Sequence, residues 1–404
     1  MRSLGRFELD ARNSTEYGLL RAYTRVDFAR RTGSLTTGTG QRINMVIGGS
    51  NVGSYAYTGV QTQIDISRAF VQLGGLTAGR SVSFFGFYNG DYEMVATTAG
   101  DGTVTNLLAY TATFGSGFSA TLSLEDPLER RNAYVYATGT SGNILSATSA
   151  AQYGGAAMPD IVAALRVDQS WGSAQLSGIV HQVRTAGLGT TLAANNASSA
   201  AGINPGQING AAGAPAGSDY GWGILGGVKI NLPMLAKGDA LFLQGQYSQG
   251  ASSTVLANPQ GWGGAGTGVG RISVLVPDAV VTNAGQTSLV SVWGVTAAAL
   301  HYWSPTVRQA LFASYIGADI PAGAYVAAGG ANTANTLRNA QYWTVGTNVI
   351  WSPIRGLDIG AEINYQQLNT DGRMNGNQAK YTSVGALYNE GSAIVGRFRV
   401  QRDF

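Results

Sequence analysis

The sequence predicts an all-β chain that forms a transmembrane antiparallel β-barrel. About fifteen segments alternate apolar and polar residues with a period of two, and short turns between them alternate with long polar loops, the pattern that membrane barrels show. Loops of that length are unusual inside a compact soluble domain. A soluble sheet would have the same period, but here the polar faces carry charge, and Trp171, Trp303 and Trp351 lie beside short turns, as in an aromatic girdle at a membrane interface.

The strands can be justified in order along the chain. Residues 17–30 place Leu20 and Phe28 on one face and Arg21 and Asp27 on the other. Further pairs of alternating segments flank short turns near residues 13–16, 74–76, 115–117, 170–173, 233–239, 304–305 and 352–353. Strands are thereby predicted over 4–12, 17–30, 64–73, 77–85, 106–114, 118–125, 161–168, 174–183, 220–231, 240–248, 291–303, 308–316, 341–351, 358–366 and 392–404. Long loops are predicted over 31–62, 126–160, 185–219, 250–290, 317–340 and 368–391.

The strand count predicts a further N-terminal strand. Single-chain bacterial barrels have even numbers of strands, whereas fifteen are counted here. The first strand would also run toward the same side as the last, which an antiparallel closure does not allow. We therefore expect one upward strand and a signal peptide to precede this sequence, with Met1 as an artificial or mis-assigned start.

Composition excludes several classes of protein. Charged residues make up 12% of the 404 residues, about half the usual share of a soluble protein, and no apolar run is long enough for a membrane helix. The chain has no cysteine and two histidines, and its net charge is +3. These values exclude disulfides and thiolate metal sites, give no case for nucleic-acid binding, and lead us to expect no cofactor, no metal site and no catalytic site.

Three segments carry a resemblance to a known family. LDARNSTEYGLLRAYTRVDF at 9–28, SRAFVQLGGLTAGRSVSFFGFY at 67–88 and GRFRVQRDF at 396–404 resemble the alphaproteobacterial general porins of the rhizobial and Brucella type. The resemblance implies a single domain over 1–404: a sixteen-stranded porin barrel in the outer membrane of a Gram-negative cell, forming a homotrimer. It further implies passive diffusion of small hydrophilic solutes and ions, a third loop folded into the lumen, and a pair of N-terminal cysteines ahead of this sequence.

By this resemblance, residues 86–103 form the constriction loop. The loop contains Asp91, Glu93 and Asp101, and a cluster of acidic side chains in a pore favours cations. An ordinary solvated loop with three acids is the alternative interpretation.

Basic side chains are predicted on the facing wall of the pore. On the polar phase of the first three strands and the last strand lie Arg6, Arg12, Arg21, Arg25, Arg68, Arg397 and Arg399. Facing the acidic loop, they would create a transverse field across the lumen; otherwise they are paired or solvated residues of a polar wall. Arg68 fits least well because Ile64, Ile66 and Phe70 share its phase.

Phe404 ends an amphipathic strand, and this arrangement resembles the assembly signal that the barrel-assembly machinery recognises in outer-membrane proteins. Three alternatives to a diffusion porin stay open: a solute-specific channel, a barrel enzyme with a rim site built around a histidine, and an adhesin that binds through the loop at 185–219.

Overall fold

The computed structural model describes residues 2–32, 60–132, 135–136, 155–184, 217–256, 261–262, 269, 272, 274–281, 287–321, 338–375 and 387–404. Met1, residues 185–216 of the predicted loop at 185–219, and the greater part of the predicted loops at 31–62, 126–160 and 317–340 lie outside these residues. Residues 376–386 of the predicted loop at 368–391 also lie outside them. No helix within the described ranges is long and apolar enough to cross a membrane.

Fifteen strands in the described part of the chain form one sheet, and each coincides with a predicted strand. They are β1 (Arg2–Thr15), β2 (Gly18–Thr32), β3 (Val60–Leu73), β4 (Leu76–Val82), β5 (Val104–Gly115), β6 (Phe118–Glu125), β7 (Asp160–Gln169), β8 (Gly172–Arg184), β9 (Ser218–Asn231), β10 (Ala240–Gln249), β11 (Ser291–Ser304), β12 (Val307–Asp319), β13 (Ala340–Ile354), β14 (Leu357–Asn375) and β15 (Leu387–Arg402). Every neighbour in the sheet is the next strand in sequence, and every pairing is antiparallel.

Most strand boundaries differ from prediction by a few residues, and three of the differences affect the architecture. β4 ends at Val82 rather than residue 85, because the chain turns inward there and Gln175 Nε2 donates to the carbonyls of Phe84, Phe85 and Gly86. β14 extends to Asn375, and β15 begins at Leu387. Both predicted bounds of the loop at 368–391 are therefore wrong, because strand pairing continues into this range from either side.

The two faces of the strands differ as the period of two predicts. On β5, Leu108 and Tyr110 are exposed whereas Leu107 and Ala109 are buried. The same alternation places Leu165, Leu176, Leu243, Leu311, Val349, Ile363 and Phe398 on the exposed face of later strands. A continuous apolar outer surface is what a membrane-spanning barrel presents to lipid.

A β-bulge at Ser67 changes the phase of β3. Arg25 pairs with Arg68, but the next residue, Val26, pairs with Ile66, so Ser67 is the extra residue. The bulge leaves Ile64 and Ile66 on the exposed face while Arg68 faces the same side as Arg25. A bulge shifts the side-chain alternation by one residue, and this shift removes the predicted conflict of Arg68 with Ile64 and Ile66. Phe70 remains on the face of Arg68, where it stacks on Tyr23.

Two segments of the chain fold back against the inner face of the sheet. Residues 83–103, between β4 and β5, make hydrogen bonds to side chains of β6, β8 and β10–β14. Contacts from one short segment to so many consecutive strands require a strongly curved sheet. The second segment lies within 250–281, where Val255, Val276 and Val280 pack with Ala99 and residues of β11–β13.

The second inward segment was not predicted. Residues 250–290 were expected to be an outer loop, but their described part is buried and includes short strand pairs: Gly261–Trp262 with Val274–Leu275, and Ala279–Val281 with Thr287–Leu289. The sequence of residues 250–290 does not predict this packing, because its apolar residues follow no regular period.

Candidate functional site

The inward segment 83–103 is held to the wall by hydrogen bonds from its backbone. Tyr88 N donates to Gln244 Oε1 at 2.8 Å and Ala99 N to Ser314 Oγ at 3.0 Å. Asn348 Nδ2 donates to the carbonyl of Tyr92 at 2.6 Å. Inward polar side chains of the strands therefore satisfy main-chain groups that would otherwise be buried without partners, and the segment has a fixed path along the wall.

Aromatic packing holds the first half of this segment. Phe87 and Tyr88 pack on Phe242 of β10 with ring centroids 5.6 and 5.1 Å apart, and Phe85 is fully buried. Gly227 of β9 provides the necessary space, since a Cβ there would lie 3.0 Å from Phe87 Cγ. The segment consequently lies directly against the wall rather than loosely in the lumen.

The three predicted acidic residues have different environments. Asp91 is exposed, whereas Glu93 and Asp101 are buried, at 8% and 1% exposure. Burial raises the pKa of the Glu93 carboxyl, hydrogen bonds from Thr98 and Thr97 oppose the rise, and nearby Glu362 adds to it. Asp91 alone of the three presents its carboxylate at an accessible surface of the loop.

Asp101 belongs to a buried charge cluster, which we call the Arg130 cluster. Arg130, 1% exposed, lies 3.1 Å from Asp101, 2.7 Å from Glu125 and 3.3 Å from Asp160. Burial opposes ionisation of Arg130, but the three carboxylates outweigh it and raise the pKa of the guanidinium. His181 Nδ1 lies 2.7 Å from Asp160 Oδ1. The cluster joins the end of the inward segment to β6, β7 and β8.

Glu93 lies beside a second buried ion pair. Glu362 of β14 is 3% exposed, receives a hydrogen bond from Met94 N at 2.6 Å and contacts Arg397 Nη1 at 2.6 Å. Arg397 thus connects the last strand to the tip of the inward segment through Glu362. Its charge is paired rather than free.

The arginines of the first two strands form two compact groups around aspartates. Arg6 and Arg25 both contact Asp27, at 2.9 and 3.0 Å. Arg12 and Arg21 both contact Asp10, at 2.6 and 2.9 Å. Glu8 Oε1 also lies 3.9 Å from both Arg6 and Arg25, so the charges of that group balance. Arg12 and Arg21 share Asp10 alone, and their group retains one excess positive charge.

Arg68 and Arg399 complete the predicted basic set. Arg68 stands opposite Arg25 in the register, and Arg399 stands opposite Gly360. Neither makes an ion pair with a residue in the described ranges. On the same face, Tyr23 and Phe70 stack at 5.2 Å with the Arg21 guanidinium 5.5 Å from the Phe70 ring. Arg21 and Arg68 thus lie on the same face as this aromatic pair.

Phe404 lies two residues beyond β15 and is fully exposed, with the Arg402 guanidinium 5.6 Å from its ring. Phe398 and Val400 before it are exposed, while Arg397 and Arg399 are half-buried. The terminal strand is therefore amphipathic, as its sequence predicts.

Four functional side chains were not predicted: Arg130, Gln175, Gln244 and Glu362. Gln175, Gln244 and Glu362 lie at inward positions of their strands. The signal available in the sequence was a polar residue on the polar phase of the alternation. Arg130 follows a short 3₁₀ turn at Pro127–Glu129 and had no periodic pattern around it. In the described ranges no three His, Asp or Glu side chains are grouped as metal ligands.

An antiparallel sheet with an apolar outer face, a charged inner face and an inward-folded segment defines a membrane channel of the barrel type. The family model of the Porin subfamily matches residues 1–394, and the chain belongs to this family. It is an outer-membrane porin, a channel for the passive diffusion of solutes. No curated protein sequence matches it.

Solved structures show the same fold. The outer-membrane channel DcaP of Acinetobacter baumannii is 13% identical, with a TM-score of 0.54 over 98% of this chain and 84% of that one. OprB of Pseudomonas putida is 10% identical, with a TM-score of 0.50 over 100% of this chain and 88% of that one. At these identities the likeness concerns the fold alone, and the pore lining has to be interpreted from this chain's own residues.

Proposed function

We propose that the chain is a general porin of the alphaproteobacterial type, whose constriction sets a weak charge selectivity for small hydrophilic solutes and ions. The observation that carries the proposal is the accessible Asp91 on a segment fixed to β8–β14, while β1–β3 and β15 carry the arginine wall. The two charged sets lie on different parts of one curved sheet. A transverse field between them would orient polar solutes and disfavour apolar ones.

The same proposal extends to assembly and activity. It includes a homotrimer in outer-membrane lipid, recognition of the strand that precedes Phe404 by the barrel-assembly machinery, and no catalysis. His181 supports the last point, because its ring is buried against Asp160 and out of reach of a solute in the pore. Asp101 and Glu93 would act by holding the constriction segment, with Asp91 as its accessible charge.

Charge selectivity tests this proposal directly. Asp91→Asn should shift the reversal potential in a salt gradient by several millivolts toward anion preference, because it removes the accessible acid of the segment. Arg68→Gln should shift it toward cations. The measurement is single-channel conductance and reversal potential in planar bilayers, where a trimer gives large ohmic steps in groups of three. Glu16→Gln, in the exposed β1–β2 turn, is the matched control, and equal shifts in D91N and E16Q would refute the role of Asp91.

The charge selectivity of the pore should also depend on pH. Although the Asp91 side chain is accessible, the protein that surrounds it inside the barrel removes part of its hydration. This desolvation raises the pKa of the Asp91 carboxyl, and the nearby Lys229 ammonium opposes the rise. As pH falls from about 7 to about 3.5, we expect Asp91 to become neutral before ordinary aspartates do, so cation preference should decline early in the titration. D91N should lack this early step. Identical profiles for the wild type and D91N would contradict the prediction.

A further inference from the structure

A cavity of about 580 Å³ lies between the inward segment and the wall, at the end of the barrel where the short turns are. Phe87 and Asp91 line it from the segment. Arg166 and Asp168 of β7, Lys229 of β9 and Phe242 of β10 line it from the wall. Its volume lies within the range of small-molecule binding sites. Neither the arginine wall nor the Arg130 cluster belongs to it.

The charges of the cavity are divided into a paired set and an unpaired set. Arg166 and Asp168 form a bidentate pair, with Nε and Nη2 at 2.8 and 2.9 Å from the two carboxylate oxygens. Lys229 and Asp91 make no ion pair within 4 Å with any residue of the described ranges. The cavity therefore offers one cation and one anion, on opposite elements, whose charges are not satisfied by each other.

The remaining surface is aromatic. The Phe87 and Phe242 rings are tilted by 59° with their centroids 5.6 Å apart. Each is next to one cation: Arg166 lies 5.5 Å from the Phe87 ring and the Lys229 ammonium 5.3 Å from the Phe242 ring. Cation–π contacts of this kind keep a long side chain against a ring face. Lys229 is thus positioned over an apolar floor, with Asp91 on the segment that forms the other side.

We propose that this cavity is a binding subsite for small zwitterionic solutes that carry an apolar body. Lys229 receives the carboxylate of the solute, Asp91 receives its ammonium group, and Phe87 and Phe242 contact the apolar part. A solute with both charges satisfies both side chains at once, which neither a simple anion nor a simple cation does. The inference rests on the proposed function, since the solute reaches the cavity through an open pore.

The test is blockade of ion current through the reconstituted porin by L-phenylalanine, compared with phenethylamine and 3-phenylpropionate. These two probes keep the ring but carry only the ammonium or only the carboxylate group. In the wild type, phenylalanine should block at concentrations about tenfold lower than either. In Lys229→Met its advantage over phenethylamine should vanish, and in Asp91→Asn its advantage over 3-phenylpropionate should vanish.

Lys237→Met is the matched control, because it removes the same charge from the exposed turn between β9 and β10. K237M should retain the wild-type order of the three probes. Ohmic conductance of the wild type with equal blockade by all three would overturn the subsite and leave the porin intact. Equal loss of the order in K237M and K229M would also overturn it, since the effect would then be one of overall charge. A folded protein without any conductance would refute the proposed function itself.

Discussion

Replacing Arg130 with methionine is expected to destabilise the folded barrel by about 3–5 kcal/mol, the cost of leaving buried charges without their partner. Arg130 is the guanidinium shared by Asp101, Glu125 and Asp160, and all three carboxylates are buried. Methionine has a similar length but no charge, so the carboxylates would repel one another or take up protons. The inward segment should also lose its anchor at Asp101.

The measurement is a urea titration of the detergent-folded protein, followed by tryptophan fluorescence. Arg355→Met, in the exposed β13–β14 turn, controls for loss of an arginine. Adding Asp101→Asn to R130M should restore part of the lost stability, because it removes one of the unpaired charges. An R130M midpoint equal to that of R355M would show that the Arg130 cluster contributes nothing to folding. Arg130→Lys, which keeps the charge but has fewer hydrogen-bond donors, should have a midpoint between those of R130M and the wild type. It tests the same cluster if R130M does not refold from urea.

The strands were predictable from sequence because their signal is local. Alternation along β5 or β8 reports which side chains meet lipid, and neighbouring strands are consecutive in sequence, so the sheet order follows from the turns. Arg68 shows the limit of this approach. The bulge at Ser67 is stabilised by a contact to the neighbouring strand, since Ser67 Oγ donates to Asp27 of β2. The alternation of residues along β3 does not predict this contact.

The pore lining was predictable only in part. The sequence shows that the arginines share one phase of the alternation, whether they are exposed or paired. It does not show which acidic residues they pair with. The inward segments depend on contacts between distant residues: Tyr88 binds Gln244 at a separation of 156 residues, and Met94 binds Glu362 at 268. Such pairs leave no periodic pattern. For the same reason, the different environments of Asp91, Glu93 and Asp101 could be assigned only from the three-dimensional structure.

The close approach of the inward segment to β9 makes a second strong prediction. Gly227→Val should destabilise the barrel by about 1–3 kcal/mol, the usual cost of overpacking a filled interior, and should lower the single-channel conductance. A Cβ at residue 227 would overlap the Phe87 ring, whose Cγ is only 3.0 Å from it. Because the wall lies behind Phe87, we expect the segment to move toward the lumen, which narrows the pore. The cavity beside Phe87 offers the ring the alternative of moving along the wall.

Gly226 provides the control for this substitution within the same strand. A Cβ at residue 226 would have no atom within 4 Å, because this position faces outward, so Gly226→Val adds the same volume where nothing is packed. Valine also suits a strand better than glycine, and G226V should therefore match or exceed the wild type in urea midpoint and keep its conductance. A conductance in G227V equal to that of G226V would mean that Phe87 moves along the wall without displacing the segment. In that case the tether from Tyr88 to Gln244, rather than the ring packing, sets the position of the segment in the pore.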